Sequence, residues 1–226
     1  MSILVTGGAG YIGSHVVKDL QRQNFEVVVL DDLSSGNDWA NSDCELLKID
    51  LLDVKKLSQK LNKRKFNAVF HFAAKSIVNE SNKNPIKYYL NNIAGTLNLI
   101  DLMLKNDNSN LIFSSSAAVY GAPKKTPISE DVPKNPINYY GKSKLIVEQI
   151  LRDFQKIYKM NIICYRYFNA SGADKSLMIG ESRKKETHLI PNVLNSITQK
   201  GRLKVFGKNY NTPDGTCVRD YVHVSD

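Results

Sequence analysis

Cysteine is scarce and unpatterned in this chain: Cys44, Cys164 and Cys217 lie far apart, are odd in number and form no Cys-x-x-Cys. That spacing argues against a disulfide framework and a thiolate zinc site. It fits a reduced, cytoplasmic protein. His15, His71, His188 and His223 show no metal-ligand spacing either, so no metal is expected. No apolar run approaches the ~20 residues that span a bilayer. The opening "MSILVTGG" has neither the basic lead nor the long apolar core of a signal peptide. No membrane association is expected. Internal repeats and low-complexity tracts are missing as well.

Acidic residues are outnumbered, 22 Asp and Glu against 31 Lys and Arg, for a net charge of +9. Such an excess could serve nucleic acid or an anionic substrate. The basic clusters "NKRK" (Asn62–Lys65), "PKKTP" (Pro123–Pro127) and "SRKKE" (Ser182–Glu186) are scattered among polar residues. None is interleaved with aromatics as a single-strand binding surface would be. They read as solvated helix ends and loops, and no nucleic-acid partner is expected.

What is present is an alternation. "ILVT", "EVVVLD", "CELLKID", "NAVFHF", "NLIFSS" and "NIICYRYF" are short runs rich in Val, Ile and Phe, and read as strands. Between them lie stretches of helical period, about Tyr11–Arg22, Val54–Lys63, Pro85–Lys105 and Tyr140–Tyr158. This order predicts βαβ units and an α/β fold, a doubly wound parallel sheet covered on both faces. The proline- and lysine-bearing segment Val119–Ile137 reads as a long functional loop. After Phe168 the character changes to glycine, polar residues and turns, with one helical stretch near Leu189–Ile197.

"ILVTGGAGYIGSH" is the most informative run. Gly8, Gly10 and Gly13 satisfy G-x-G-x-x-G, and Gly7, Gly10 and Gly13 satisfy G-x-x-G-x-x-G. Either pattern alone is weak. Here a strand precedes it, a helix follows, and the next strand ends in Asp31, eighteen residues after Gly13. Glycines let the backbone approach a pyrophosphate, and the helix N-terminus offers N–H groups and positive dipole. A carboxylate at Asp31 suits a ribose diol and repels the extra phosphate of NADP. No Arg follows in "LDDLSSG", so NAD is the expected cofactor.

"NYYGKSKL" supplies the second motif. In a helix Tyr140 and Lys144 share a face, and Tyr139 does not. Alone, this is better explained by an ordinary surface contact. "IFSSSAAVYG" ends a strand in three serines, at the carboxyl edge where doubly wound folds bind ligands. With the glycine turn, these stretches resemble the extended short-chain dehydrogenase/reductase family. The resemblance implies a Rossmann-type NAD-binding domain and carries the family's Ser/Thr plus Tyr-x-x-x-Lys set to Ser116, Tyr140 and Lys144. Tyr has a pKa of ~10, so roughly one phenol in a thousand is ionised at pH 7. Lys144 and a positive nicotinamide ring are both expected to favour the phenolate, making Tyr140 a base for a hydroxyl proton.

"HFAAKSIVNES", "YYLNNIAGTLNL", "RYFNASGA", "THLIPNVL" and "YNTPDGTCVRDYVHVSD" are similar to the sugar-nucleotide 4-epimerases of that family and span nearly the whole chain. The resemblance implies an isomerase of galactose metabolism that interconverts UDP-glucose and UDP-galactose by transient oxidation at C4. It implies NAD contacts at Gly7, Gly10, Tyr11, Ile12, Gly13, Asp31 and Asp32, and at Asp50 and Leu51 beside the adenine. Phe72, Ala73, Ala74, Asn91, Ser114, Tyr140, Lys144 and Tyr167 complete that set. For the UDP-sugar it implies Ser116, Tyr140, Asn169, His188, Leu189, Val205, Phe206, Arg219 and Tyr221.

Two departures qualify these expectations. Some family members carry Lys one position after Lys75, where Ser76 stands, so a lysine contact to NAD from that position is not expected. The chain stops at Asp226 within a motif that continues in the family. Residues 1–170 are therefore expected to form the NAD domain and 171–226 the start of an incomplete substrate domain. Apolar surface should lie open on one side of the sheet and on Leu189–Ile197. Homodimerisation through the Pro85–Lys105 and Tyr140–Tyr158 helices is expected of the full-length protein. Alternatives are 4-epimerisation of a UDP-N-acetylhexosamine or UDP-pentose, or a non-catalytic NAD-binding fragment. A dehydratase or decarboxylase is disfavoured because Ala117, not a carboxylate, follows Ser116.

Overall fold

A computed structural model describes every residue except Ser42, Lys184, Lys185, Gln199, Lys200 and Phe206. Six parallel strands form the main sheet: β1 (Ser2–Thr6), β2 (Glu26–Asp31), β3 (Glu45–Lys48), β4 (Ala68–His71), β5 (Asn110–Ser114) and β6 (Asn161–Tyr165). Their order is β3-β2-β1-β4-β5-β6. The chain winds outward one way from β1, then crosses over to β4 and winds the other way. That reversal opens a crevice at the carboxyl ends of β1 and β4, the place where such sheets bind ligands.

Pleating sends alternate residues to opposite faces. Leu4, Val28 and Leu30 pack on one face with Leu57, Leu99, Met103, Val147 and Leu151 from the helices α2 (Val54–Leu61), α5 (Gly95–Lys105) and α6 (Tyr139–Tyr158). Ile3, Val5, Val27 and Val29 pack on the other against Val17 and Leu20 of α1 (Tyr11–Arg22). The second face is not covered throughout. At the β6 edge Ile163 and Tyr165 are 53% and 50% exposed, and α7 (Leu189–Thr198) contains no buried residue. The apolar surface expected on one side of the sheet and on Leu189–Ile197 is present.

The helix expected over Pro85–Lys105 is divided. α3 (Val78–Lys83) precedes it; α4 (Pro85–Tyr89) then passes through a wide π turn at Leu90–Ala94 into α5. The π turn carries buried Asn92. Its amide accepts from the Lys75 N–H at 2.8 Å and donates to the Lys75 carbonyl and Ser143 Oγ, each at 3.0 Å. The segment after β4 is thereby pinned to α6. Beneath it, His71 bridges Thr6 Oγ1 at 2.6 Å and Thr96 Oγ1 at 2.8 Å. Thr96 spends its proton on the Asn92 carbonyl, so Nε2 of His71 donates and Nδ1 accepts. Burial, then the Lys144 charge, pushes His71 down to about 3.

Two short strands lie outside the alternation read from the sequence: β7 (Asn169–Ser171) pairs in parallel with β8 (Tyr221–His223). Among the described residues no helix is long and apolar enough to cross a membrane.

Candidate functional site

One continuous cleft of about 2360 Å³ runs across the carboxyl edge of the sheet, from the glycine turn to β8. A drug-sized ligand occupies roughly 300–1,000 Å³, so this volume suits two ligands end to end. Every expected site residue lines it except Phe206, which lies outside the described residues.

At one end the β1 strand turns through Gly7–Gly10 into α1, whose N-cap, Gly10, has no side-chain cap. The first N–H groups of the helix therefore face the cleft without a side chain of their own to satisfy them. Gly13 is required by a close approach: a Cβ there would sit 2.2 Å from the Gly7 carbonyl oxygen. Backbone bonds run from Gly7 N to the Leu30 carbonyl and from Gly10 N to the Gly7 carbonyl. Asp31 ties the turn down, accepting from Ala9 N at 3.0 Å and Leu33 N at 2.8 Å. Burial lifts its carboxyl above the usual range, opposed by those two N–H bonds. This cradle of open helix N-terminus, close backbone and terminal carboxylates fits a dinucleotide. Asp50, Leu51, Phe72, Ala73, Ala74 and Asn91 continue the wall toward the sheet centre.

The middle of the cleft brings β5 and α6 together. Asn138 caps α6, accepting from Gly141 N at 2.7 Å. Gly141 is needed because any Cβ would meet the Ala118 carbonyl oxygen at 2.6 Å. This closeness sets Tyr140 beside Ser116, which caps the 3₁₀ turn Ala117–Tyr120 by accepting from Ala118 N at 3.2 Å and whose hydroxyl favours the phenolate. The facing argument from the sequence holds. Lys144 Nζ lies 6.0 Å from the Tyr140 ring centre, whereas Tyr139 turns away to an edge contact with Tyr89 and to Lys142.

The chain's own charges do not by themselves favour the phenolate. Burial raises the Tyr140 pKa above its ordinary value, and the Ser116 hydroxyl and the Arg183 charge only oppose this. Lys144 is a weak cation here. Burial lowers it to about 7, countered by Cys164 and Glu148. Its Nζ donates to the Ser114 carbonyl at 2.6 Å and sits 4.7 Å over the Phe113 ring. Tyr167 completes this wall, with its phenol raised to about 12 by burial and then by Tyr165.

At the far end stand Asn169, His188, Leu189, Val205, Arg219 and Tyr221. Asn169 Nδ2 donates to the Asp220 carbonyl at 2.7 Å, which joins β7 to the start of β8. His188 pairs with Glu181, as does Arg183 through its Nε at 3.0 Å.

Arg183 is the residue that sequence reading missed. "SRKKE" reads as solvated, yet the Arg183 side chain is largely buried, lines the cleft and acts electrostatically on Tyr140. Only its neighbour Glu181, a carboxylate in a polar loop, could have hinted at an inward guanidinium. Lys75 was also not assigned, and it reaches Asp32 and Ser34 across the cleft.

Comparison with known proteins agrees with this geometry. The profile of the NAD dependent epimerase/dehydratase family matches residues 3–226. UDP-glucose 4-epimerase of Halalkalibacterium halodurans is 47% identical over 227 residues, covering 100% of this chain and 68% of the relative. UDP-glucose 4-epimerase from Brucella ovis, solved in complex with NAD, superposes with a TM-score of 0.94 at 45% identity, covering 99% of this chain and 69% of that one. The enzyme from Bifidobacterium longum, solved with NAD+ and UDP, gives 0.91 at 36% identity, covering 100% and 71%. The chain thus spans about two thirds of the length of these relatives. With the glycine cradle, the switch-point cleft and the Ser-Tyr-Lys group in one continuous fold, this chain belongs to the NAD dependent epimerase/dehydratase family.

Proposed function

We propose that this chain interconverts UDP-glucose and UDP-galactose at C4 of the hexose, with NAD held in the glycine end of the cleft. The observation that carries the reading is that Ser116, Tyr140 and Lys144 line the same cleft as both the dinucleotide cradle and the Asn169–Tyr221 end, with Lys144 Nζ 6.0 Å from the Tyr140 ring centre. NAD, when bound, supplies a nicotinamide ring that takes and returns a hydride. Gly7, Gly10, Tyr11, Ile12 and Gly13 hold its pyrophosphate, and Asp31 and Asp32 its ribose.

Tyr140 then accepts the proton of the C4 hydroxyl and later returns it, while Ser116 holds the same oxygen in line. Burial keeps the phenol protonated at rest, so proton removal depends on charge brought near it. Arg183 contributes some of that charge from the chain itself. Lys144 fixes the β5 end through the Ser114 carbonyl as much as it supplies charge. Arg219 and Asn169 hold the UDP diphosphate, and His188, Leu189, Val205, Phe206 and Tyr221 hold the rest of the nucleotide sugar. Residues 1–170 carry the cofactor and 171–226 begin the substrate portion. The protein is cytoplasmic on this reading and pairs as a homodimer through the Pro85–Lys105 and Tyr140–Tyr158 helices, a pairing supported by exposed Ile86, Leu90 and Leu97 on the first and Ile157 on the second.

Tyr140→Phe tests the reading. It should remove at least a hundredfold of epimerase turnover while bound NAD survives, because only the proton-carrying oxygen is lost. Tyr139→Phe, whose ring faces Tyr89, should stay within a few-fold of wild type. Equal losses would overturn the assignment.

A further inference from the structure

Ser116 sits in the turn after β5, and the residues on both sides of it are anchored. Before it, buried Ser115 donates through Oγ to Glu148 Oε1 at 2.5 Å. After it, Ala117 N donates to the Tyr167 carbonyl at 2.9 Å. Further along the same turn, Tyr120 Oη accepts from Arg166 Nη1 at 2.8 Å. Arg166 immediately precedes Tyr167 and also grips Glu148, Nε to Oε1 at 2.9 Å and Nη2 to Oε2 at 2.7 Å. A two-pronged pair of this kind fixes direction as well as distance. Burial pushes Glu148 up, but Arg166 and Ser115 outweigh it and hold the carboxyl below its ordinary value.

The far end of this frame is the helix that carries Tyr140. Along α6, Tyr140, Lys144 and Glu148 recur every four residues and share one face. Lys144 Nζ holds the Ser114 carbonyl at 2.6 Å, and one turn on Glu148 holds Ser115. Successive turns of one helix therefore grip successive residues leading to Ser116. Tyr140 and Lys144 line the cleft, whereas Glu148 and Arg166 lie behind its wall.

We propose that Glu148 and Arg166 are positioning residues for proton transfer, holding Ser116 at the depth where its hydroxyl and the Tyr140 phenol meet the same substrate oxygen. The inference rests on the roles proposed above for Ser116 and Tyr140. Released from Glu148, the turn still lines the cleft, but nothing sets Ser116 against α6. A displacement of about 1 Å at such a group costs on the order of a hundredfold in rate.

The test uses the full chain in five forms: wild type, Ser115→Ala, Glu148→Leu/Arg166→Met, Ser116→Ala, and Ser116→Ala combined with the Glu148/Arg166 pair of changes. Each is checked for folding by circular dichroism and for bound NAD, and kcat and KM are measured with UDP-galactose. Ser115→Ala and Glu148→Leu/Arg166→Met should each lose about tenfold or more in kcat, with KM and NAD occupancy within about threefold of wild type. In the Ser116→Ala background the frame has nothing left to position, so the Glu148/Arg166 changes should cost only about twofold more. A folded Glu148→Leu/Arg166→Met protein with wild-type kcat would overturn the proposal, since uncharged packing would then suffice. A full tenfold loss that persists without the Ser116 hydroxyl would overturn it too, because the frame would not be acting through Ser116. Should Glu148→Leu/Arg166→Met fail to fold, Ser115→Ala takes its place in both backgrounds, with the same expected and overturning results. It removes one hydroxyl and leaves the ion pair whole. A wild type without turnover would instead overturn the epimerase reading, and this assignment with it.

Discussion

Glu148 lies at the junction of β5, α6 and the segment after β6, and its removal should unsettle the site from behind. It stands on α6 one turn past Lys144 and is 2% exposed. Its carboxylate accepts from Ser115 Oγ at 2.5 Å, Arg166 Nε at 2.9 Å and Arg166 Nη2 at 2.7 Å. Arg166 also donates to Tyr120 Oη at 2.8 Å and lies 5.2 Å over that ring. Glu148→Ala would leave a guanidinium with an 18% exposed side chain without its counter-ion, and Ser115 without an acceptor.

Breaking a buried ion pair from one side costs about 3–5 kcal/mol. Partial exposure of Arg166 places this case near the lower bound, and the orphaned Ser115 hydroxyl adds about 1 kcal/mol. A loss of roughly 3–4 kcal/mol lowers the melting temperature of a chain this size by about 6–16 °C. Thermal unfolding followed by circular dichroism measures it directly. Glu148→Leu/Arg166→Met should be less destabilised than either single change, because no charge is left unpaired. A Glu148→Ala protein within about 1 kcal/mol of wild type, or strictly additive losses in the double variant, would refute the reasoning.

His71 gives a pH prediction. Its folded value of about 3 lies below the unfolded 6.5, so its contribution is whole above pH 6.5 and drains away as pH falls toward 3. From pH 7 to pH 5 the wild type should lose about 2 kcal/mol more than His71→Asn in urea unfolding; equal losses would show that the ring is not held neutral. Gly13→Ala should lose bound NAD and about 1–3 kcal/mol of stability, because the overlap is with the Gly7 backbone rather than a movable side chain. Retention of full NAD occupancy on desalting would contradict the close approach.

The parts readable from sequence were those fixed by local rules. Alternating strands and helices gave the parallel sheet, since uninterrupted Val and Ile runs suit strands buried on both faces. The glycine turn and Asp31 were legible because backbone approach and a terminal carboxylate leave few alternatives in residue type. The Tyr140–Lys144 pairing followed from helical spacing alone. The strength of that pairing did not, because it depends on burial. Lys144 sits over Phe113 against a carbonyl, and losing water costs its charge more than spacing reveals. Arg183 and Lys75 were missed for a related reason. Arg183 is a cation in a polar stretch and Lys75 one in a mostly apolar stretch, and only the tertiary fold turns each inward to a carboxylate. β7 and β8 are three residues each and pair across some fifty positions, beyond the reach of any local pattern. The π turn at Leu90–Ala94 was hidden inside a helical period.

Conversion of UDP-galactose to UDP-glucose by the purified protein with no nicotinamide cofactor added tests the central claim most directly. Bound NAD that cycles within the cleft predicts conversion with no net accumulation of NADH, and loss of that conversion in Tyr140→Phe. A protein that carries NAD and binds UDP-galactose yet converts none of it would contradict the account and leave a non-catalytic dinucleotide-binding chain.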